Sequence, residues 1–161
     1  LHVAVDGTGN LLATSLSSET IRDGSRVPDL FETYTGPLAS LTGDRGYDQA
    51  SVYREALGRS ANVPVVIHPR INGIHSRRKL ESKQRNEHLE SIRSDGIYHW
   101  RSESGYSRQS TVENAFYRYK TIIGWKLRAR GDEAREVEVI LGCKLLNRCL
   151  ELGRPDSVCV G

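Results

Sequence analysis

The sequence predicts an α/β fold, a mixed sheet flanked by helices, on three observations. Short apolar runs of β-forming residues alternate with stretches of helical period. The first two runs are joined by a turn of the hairpin type. The length, 161 residues, fits one domain able to bury a substantial core.

Each element has a local reason. Residues 1–5 are a β-rich run, and Asp6-Gly7-Thr8-Gly9-Asn10 is a turn rich in residues that tolerate positive φ. Residues 11–16 return as a second strand. Asp6 is expected to open the turn by accepting backbone amides. Asp23-Gly24-Ser25 leads into a helix over about 26–34, with Pro28 in its first turn and Val27, Leu30, Phe31 and Tyr34 on its buried face. Thr35-Gly36-Pro37 ends it.

Residues 38–42 are a third strand, running into Gly43-Asp44-Arg45-Gly46-Tyr47-Asp48. Asp44 stands where a strand ends, the usual ligand edge of an α/β sheet, with glycines that permit close approach. It is either a ligand or an ordinary turn aspartate. Asp48 reads as the N-cap of a helix over 49–58, whose Val52, Tyr53, Ala56 and Leu57 face the sheet. Residues 63–67 form a buried apolar strand.

A basic insertion spans about 70–104. Residues 70–86 carry six basic side chains, Arg77, Arg78 and Lys79 among them, against Glu81 alone. With few aromatics, the stretch suits phosphate contacts or a solvated loop. A short helix over 85–94 places His88, Leu89 and Ile92 on one side. From about Gln109 a helix carries the apolar stripe Val112, Phe116, Tyr119 and Ile123. A neighbouring stripe bears Gln109, Glu113, Tyr117 and Lys120, with Glu113 and Lys120 roughly 10 Å apart along the axis. That spacing suits two contacts to one long charged ligand, or a plain solvated face. Asp132 opens a support helix over about 132–152, with the apolar stripe Ala134, Val137, Leu141, Leu145 and Cys149. Gly153 and Pro155 stop it, and a loose tail is expected beyond.

Composition narrows the partners. Residues 65–130 hold 14 Lys/Arg against 6 Asp/Glu, while both flanks are net acidic. Basic charge gathered in mid-chain points to a polyanion. Cys143, Cys149 and Cys159 are odd in number and lack zinc spacing, so they read as reduced thiols used as small apolar residues. No run reaches membrane-spanning length and no signal pattern opens the chain. Without methionine and starting on an apolar run, the sequence is expected to be a fragment beginning inside a strand.

Asp44 and Glu113 lie 69 positions apart and could converge at one sheet edge. Oxygen ligands among basic residues are what divalent-metal phosphoryl transfer needs. These residues also carry a resemblance. Leu1-His2-Val3-Ala4-Val5-Asp6, the segment Gly43–Asp48 and the spacing Tyr106, Gln109, Glu113, Lys120 are similar to those of bacterial insertion-sequence DDE transposases of families four and five. The resemblance covers essentially the whole chain, as the C-terminal part of a catalytic domain of RNase H-like fold with its first strand missing.

The resemblance implies Mg²⁺- or Mn²⁺-dependent cleavage of a phosphodiester bond by water. Joining of the freed 3′-hydroxyl to target DNA would follow. Asp44 and Glu113 would bind metal, and Tyr106, Arg108 and Lys120 would contact DNA. Double-stranded DNA, as element ends and target, is the implied partner, with a homodimer on DNA and a cytoplasmic, nucleoid-associated location in bacteria. Two departures stand out. Gln109 occupies the family's arginine position, with Arg108 one residue away. The family's first aspartate belongs to a strand before residue 1, and Asp6 is not its equivalent. The 161 residues alone are therefore expected to be inactive or nearly so. A DNA-binding relic and a nuclease of the same fold are the competing readings.

Overall fold

A computed structural model describes residues 1–17, 22–70 and 82–153. The expected basic trio Arg77, Arg78 and Lys79 lies outside the described residues, as does the C-terminal tail from residue 154. Among the described residues, no helix is long and apolar enough to cross a membrane.

The fold is mixed α/β, as the alternation predicted. β1 (His2–Val5) and β2 (Leu11–Ser15) pair antiparallel, with Val3 opposite Thr14 and an irregularity between Ala4 and Val5. Asp6 ties the turn together. Its Oδ1 accepts the Thr8 amide at 2.9 Å, the Thr8 hydroxyl at 2.7 Å and the Asn10 amide at 3.0 Å. Burial pushes the Asp6 pKa up, but these bonds outweigh it and hold the carboxyl below the usual range. β3 (Leu41–Gly43) and β4 (Val65–Ile67) form a second pair, parallel, joined through α2 (Ala50–Arg59). The sheet is thus two separate two-stranded halves.

Each half has its own core. Val27, Val52, Tyr53, Ala56, Val63, Val65 and Ile67 pack around β3–β4, with α1 (Val27–Thr33) contributing the first of them. Val3, Leu11, Ala115, Tyr119, Val139, Cys143 and Leu146 pack around the hairpin, drawn from α4 (Gln109–Arg118), the π-helical turn Tyr119–Ile123 and α5 (Asp132–Glu151). The stripe expected on α4 holds: Tyr119 is buried, and Val112, Phe116 and Ile123 pack against the hairpin core.

The outer edges are closed by side-chain amides. Asn147 on α5 accepts the Leu11 amide at 2.8 Å and donates to the Leu11 carbonyl at 2.9 Å. On α3 (Lys83–Glu103), Gln84 accepts the Val65 amide at 2.6 Å and donates to the Val63 carbonyl at 2.9 Å. One turn on, His88 Nε2 bonds the Val65 carbonyl at 2.8 Å while its Nδ1 accepts the Trp100 indole N–H. α3 is two helical segments meeting at a kink: Gly96, at φ 86° and ψ 163°, breaks the first, which covers the helix expected over 85–94, and the second runs on to Glu103.

Two expectations are corrected. Asp48 is not an N-cap: Gln49 holds that position. The Asp48 side chain is fully buried and bonds Arg85 Nε at 2.7 Å, Arg85 Nη2 at 3.0 Å and the Arg70 amide at 2.9 Å. The stripe expected to face the core from α5 faces solvent instead, with Val137, Leu141 and Leu145 each more than half exposed. The buried face is Val139, Gly142, Cys143 and Leu146. A small residue at Gly142 lets the Tyr119 ring lie against the helix, where a Cβ would sit 3.0 Å from it.

Candidate active site

The two half-sheets leave a cleft between their inner edges. A cavity of about 500 Å³ is lined along one side by Val3, Ala4, Val5 and Asp6 and along the other by Leu41, Thr42, Gly43 and Asp44. α1 contributes Leu30 and Phe31 to its walls, and α4 contributes Val112, Glu113 and Phe116. Asp44 and Glu113 therefore open on one space despite their distance in sequence.

The local geometry of Asp44 explains its exposure. It ends β3, and its Oδ1 accepts the Gly46 amide at 2.7 Å, capping the 3₁₀ turn Arg45–Tyr47. Asp44 thus caps the turn that precedes α2, and its second oxygen is left for a ligand. Gly46 is needed for space: a Cβ there would collide with the Asp23 carboxylate and crowd Asp44 Oδ1. Glu113 is exposed on α4.

Arg108 and Gln109 both line the cavity. Arg108 closes the 3₁₀ turn Tyr106–Arg108 and reaches the Ser40 hydroxyl at 3.4 Å. Gln109 Oε1 is buried with no partner among the described residues, an acceptor facing a cost unless something donates to it. Tyr106 follows Gly105, whose φ of 73° suits glycine and turns the chain from α3 toward α4. Its ring packs on Trp100 at 5.1 Å and on His68 at 5.9 Å. Burial foremost, and the Asp44 and Glu113 charges among the lesser causes, push the Tyr106 pKa up, so the phenol stays a donor. Tyr106 opens on a second, polar pocket beside the cleft, shared with Asp23, Asp44, Arg45, Gly46, His68 and Arg101.

Lys120 lines neither space; its ammonium lies over the Trp125 ring at 4.8 Å. Asp44, Glu113 and Arg108 thus line one cleft, Asp44 and Tyr106 line the pocket beside it, and Lys120 lines neither. Arg45, Arg101 and Gln109 are drawn in as well. Of these, Arg45 was signalled by its place beside Asp44, whereas nothing in the pattern around Arg101 marked it.

The chain is an α/β protein with an acidic site opening between two half-sheets. It belongs to the transposase DDE-domain family, whose model matches residues 1–148. That membership points to a transposase and to DNA as the partner. No solved structure matches the chain significantly.

Proposed function

We propose that residues 1–161 are part of one catalytic domain of RNase H-like type, of the insertion-sequence kind, that as a whole cuts and joins DNA at an element's ends. The observation that carries this reading is the convergence of Asp44 and Glu113 on one cleft. Their hard oxygen donors suit Mg²⁺ or Mn²⁺. Among the described residues, no group of three His, Cys, Asp or Glu could hold an ion. The pair therefore fits as part of a metal site and not as a whole one.

A third carboxylate has a place to enter. β1 and β3 both line the cleft, while Asn147 bonds the backbone of β2 and Gln84 that of β4. An extended strand laid between β1 and β3 would unite the halves into one sheet. An acidic residue at its end could then complete the site. This matches the missing first strand of the resemblance.

In the reaction, Asp44 and Glu113 would hold the metal. The chemistry a bound divalent ion supplies is activation of the attacking oxygen and stabilisation of the leaving oxygen. Arg108 and Tyr106 donate to the phosphate, and Lys120 contacts DNA further out. Mn²⁺ titration of the chain followed by electron paramagnetic resonance tests the ligand assignment. Asp44→Asn and Glu113→Gln should each weaken binding at least about tenfold, as loss of one ligand of an incomplete site implies. Unchanged binding in both variants would sink the assignment. The 161 residues alone should not cleave duplex DNA in Mg²⁺, and detectable cleavage would overturn that part.

We also propose that two copies pair on DNA. The exposed face of α5 supports this: Val137, Leu141 and Leu145 form an apolar strip. The first half of the helix is net acidic, with Asp132, Glu133, Glu136 and Glu138 against Arg135, and the second half is net basic, with Lys144 and Arg148 against Glu151. Antiparallel pairing would set opposite charges together. Sedimentation velocity should show a dimer that Leu141→Glu abolishes; a wild-type chain that stays monomeric with DNA bound would count against it.

A further inference from the structure

We propose that Arg45 and Arg101 form a two-arginine site for one phosphate of a DNA backbone, in the polar pocket beside Asp44. The inference rests on the DNA-processing reading above and adds two residues to it.

The argument begins with the aromatic floor. His68, Trp100 and Tyr106 pack edge to face or tilted, with centroids 5.1 to 5.9 Å apart. His88 extends the stack behind Trp100 at 5.5 Å. Each arginine lies on one ring of this floor. The Arg45 guanidinium stands 3.4 Å from both nitrogens of His68, and the Arg101 guanidinium lies 5.8 Å from the Tyr106 centroid. Rings beneath planar guanidiniums restrict their motion and leave their N–H edges outward.

Most of those N–H groups are left over. His68 Nδ1 makes its short bond, 2.8 Å, to the Pro69 carbonyl, so Nδ1 carries the proton and does not accept from Arg45; Nε2 is then the acceptor and takes one long bond, 3.4 Å, from Arg45 Nη2. Neither arginine belongs to an ion pair among the described residues, and both are exposed. Two guanidiniums held against rings with N–H groups to spare, on the wall of one open pocket, are suited to a single tetrahedral anion.

The ligand is narrowed by the neighbours. Asp23 and Asp44 share the pocket, so any anion must be held at the arginine side. A phosphodiester of a strand lying in the adjoining cleft would be delivered to that side by the rest of the bound DNA. The pocket adjoins the cleft through Asp44, which lines both. The phosphate held here would belong to a nucleotide next to the one presented to Asp44 and Glu113. Holding it would fix the register of the strand at the acidic site.

The test is the salt dependence of binding to a fluorescein-labelled duplex of mixed sequence, followed by anisotropy in Mg²⁺ buffer with the full chain. Each phosphate contact contributes about 0.9 to the slope of log K against log salt, so the double variant Arg45→Ala/Arg101→Ala should lower the slope by about one unit, and each single variant by part of that. Affinity near 0.1 M salt should fall about eightfold in the double variant. Arg54→Ala, exposed on α2 and lining neither pocket, serves as the control and should leave the slope unchanged. Arg45→Lys and Arg101→Lys, which keep the charge but lose the planar fork, should recover most of the slope. Wild-type slope and affinity in both alanine variants would overturn the proposal, as would a loss confined to one of them. If the wild-type chain itself shows no salt-dependent DNA binding, the DNA-processing reading fails first, which is a distinct result.

Discussion

Asp48 and Arg85 meet in the interior although 37 positions separate them. The carboxylate is fully buried, and the guanidinium is only 17 % exposed and bonds both its oxygens. Removing one partner leaves the other's charge in a poor dielectric without compensation. Breaking a buried pair in this way costs about 3–5 kcal/mol. Asp48→Ala and Arg85→Met should each lower the urea midpoint accordingly, and the double variant should lose less than the sum. Single variants that cost under about 1 kcal/mol would show the pair to be dispensable. The same pair shows where sequence reading stops at this scale. Asp6 was legible as a turn residue because its partners, Thr8 and Asn10, are neighbours in the chain. Asp44 was legible as a residue opening on the cleft by its position at a strand end. Asp48 sits before a helix, just where a cap belongs, and its distant partner on α3 is invisible to local pattern.

Elements show the same division between local and distant causes. The apolar stripe from Val112 to Ile123 could be read at once, since one face is apolar and the other polar. α5 could not, because it is apolar on two faces. The branched residues of one face face solvent, and the smaller Gly142 and Cys143 of the other allow the closer approach to Tyr119. Hydropathy favours the first face; packing chose the second. Burial pushes the Cys143 thiol up to about 11, so it behaves as an inert apolar group. α3 adds a function its sequence did not suggest, the closure of β4. Gln84 and His88, spaced one turn apart, together serve the Val63 carbonyl and both polar groups of the Val65 backbone. Gln84→Leu keeps the size but orphans a buried N–H and a carbonyl, at about 1–3 kcal/mol each when unsatisfied. Gln84→Glu retains the acceptor for Val65 and should fall between wild type and Gln84→Leu in denaturant stability. Equal stability of all three would mean that water or a shifted strand replaces the amide at no cost.

At the scale of the whole molecule, the division into two half-sheets governs how the chain should unfold. The hairpin core and the β3–β4 core share no buried residue. Between them lies the cleft, which removes the strand-to-strand hydrogen bonds that would otherwise couple the halves. What crosses is largely α1, whose Asp29 accepts the Ser15 hydroxyl on β2 at 3.0 Å, and α4, which walls the cleft. Polar bridges of that kind contribute about 1 kcal/mol each and give weak cooperativity compared with a shared core. The two halves should therefore lose structure at different denaturant concentrations. Trp100, 2 % exposed beside β4, reports on one half; Trp125, 78 % exposed, can be replaced by Phe at little cost. In Trp125→Phe, the fluorescence transition of Trp100 should not coincide with the far-ultraviolet circular dichroism transition, to which α4 and α5 of the other half contribute heavily. Superimposable transitions would show that the walls of the cleft couple the halves into one cooperative unit. A separation of the two would instead make the cleft the weakest seam of the fold, and any strand that filled it would raise both stability and cooperativity by joining β1 to β3.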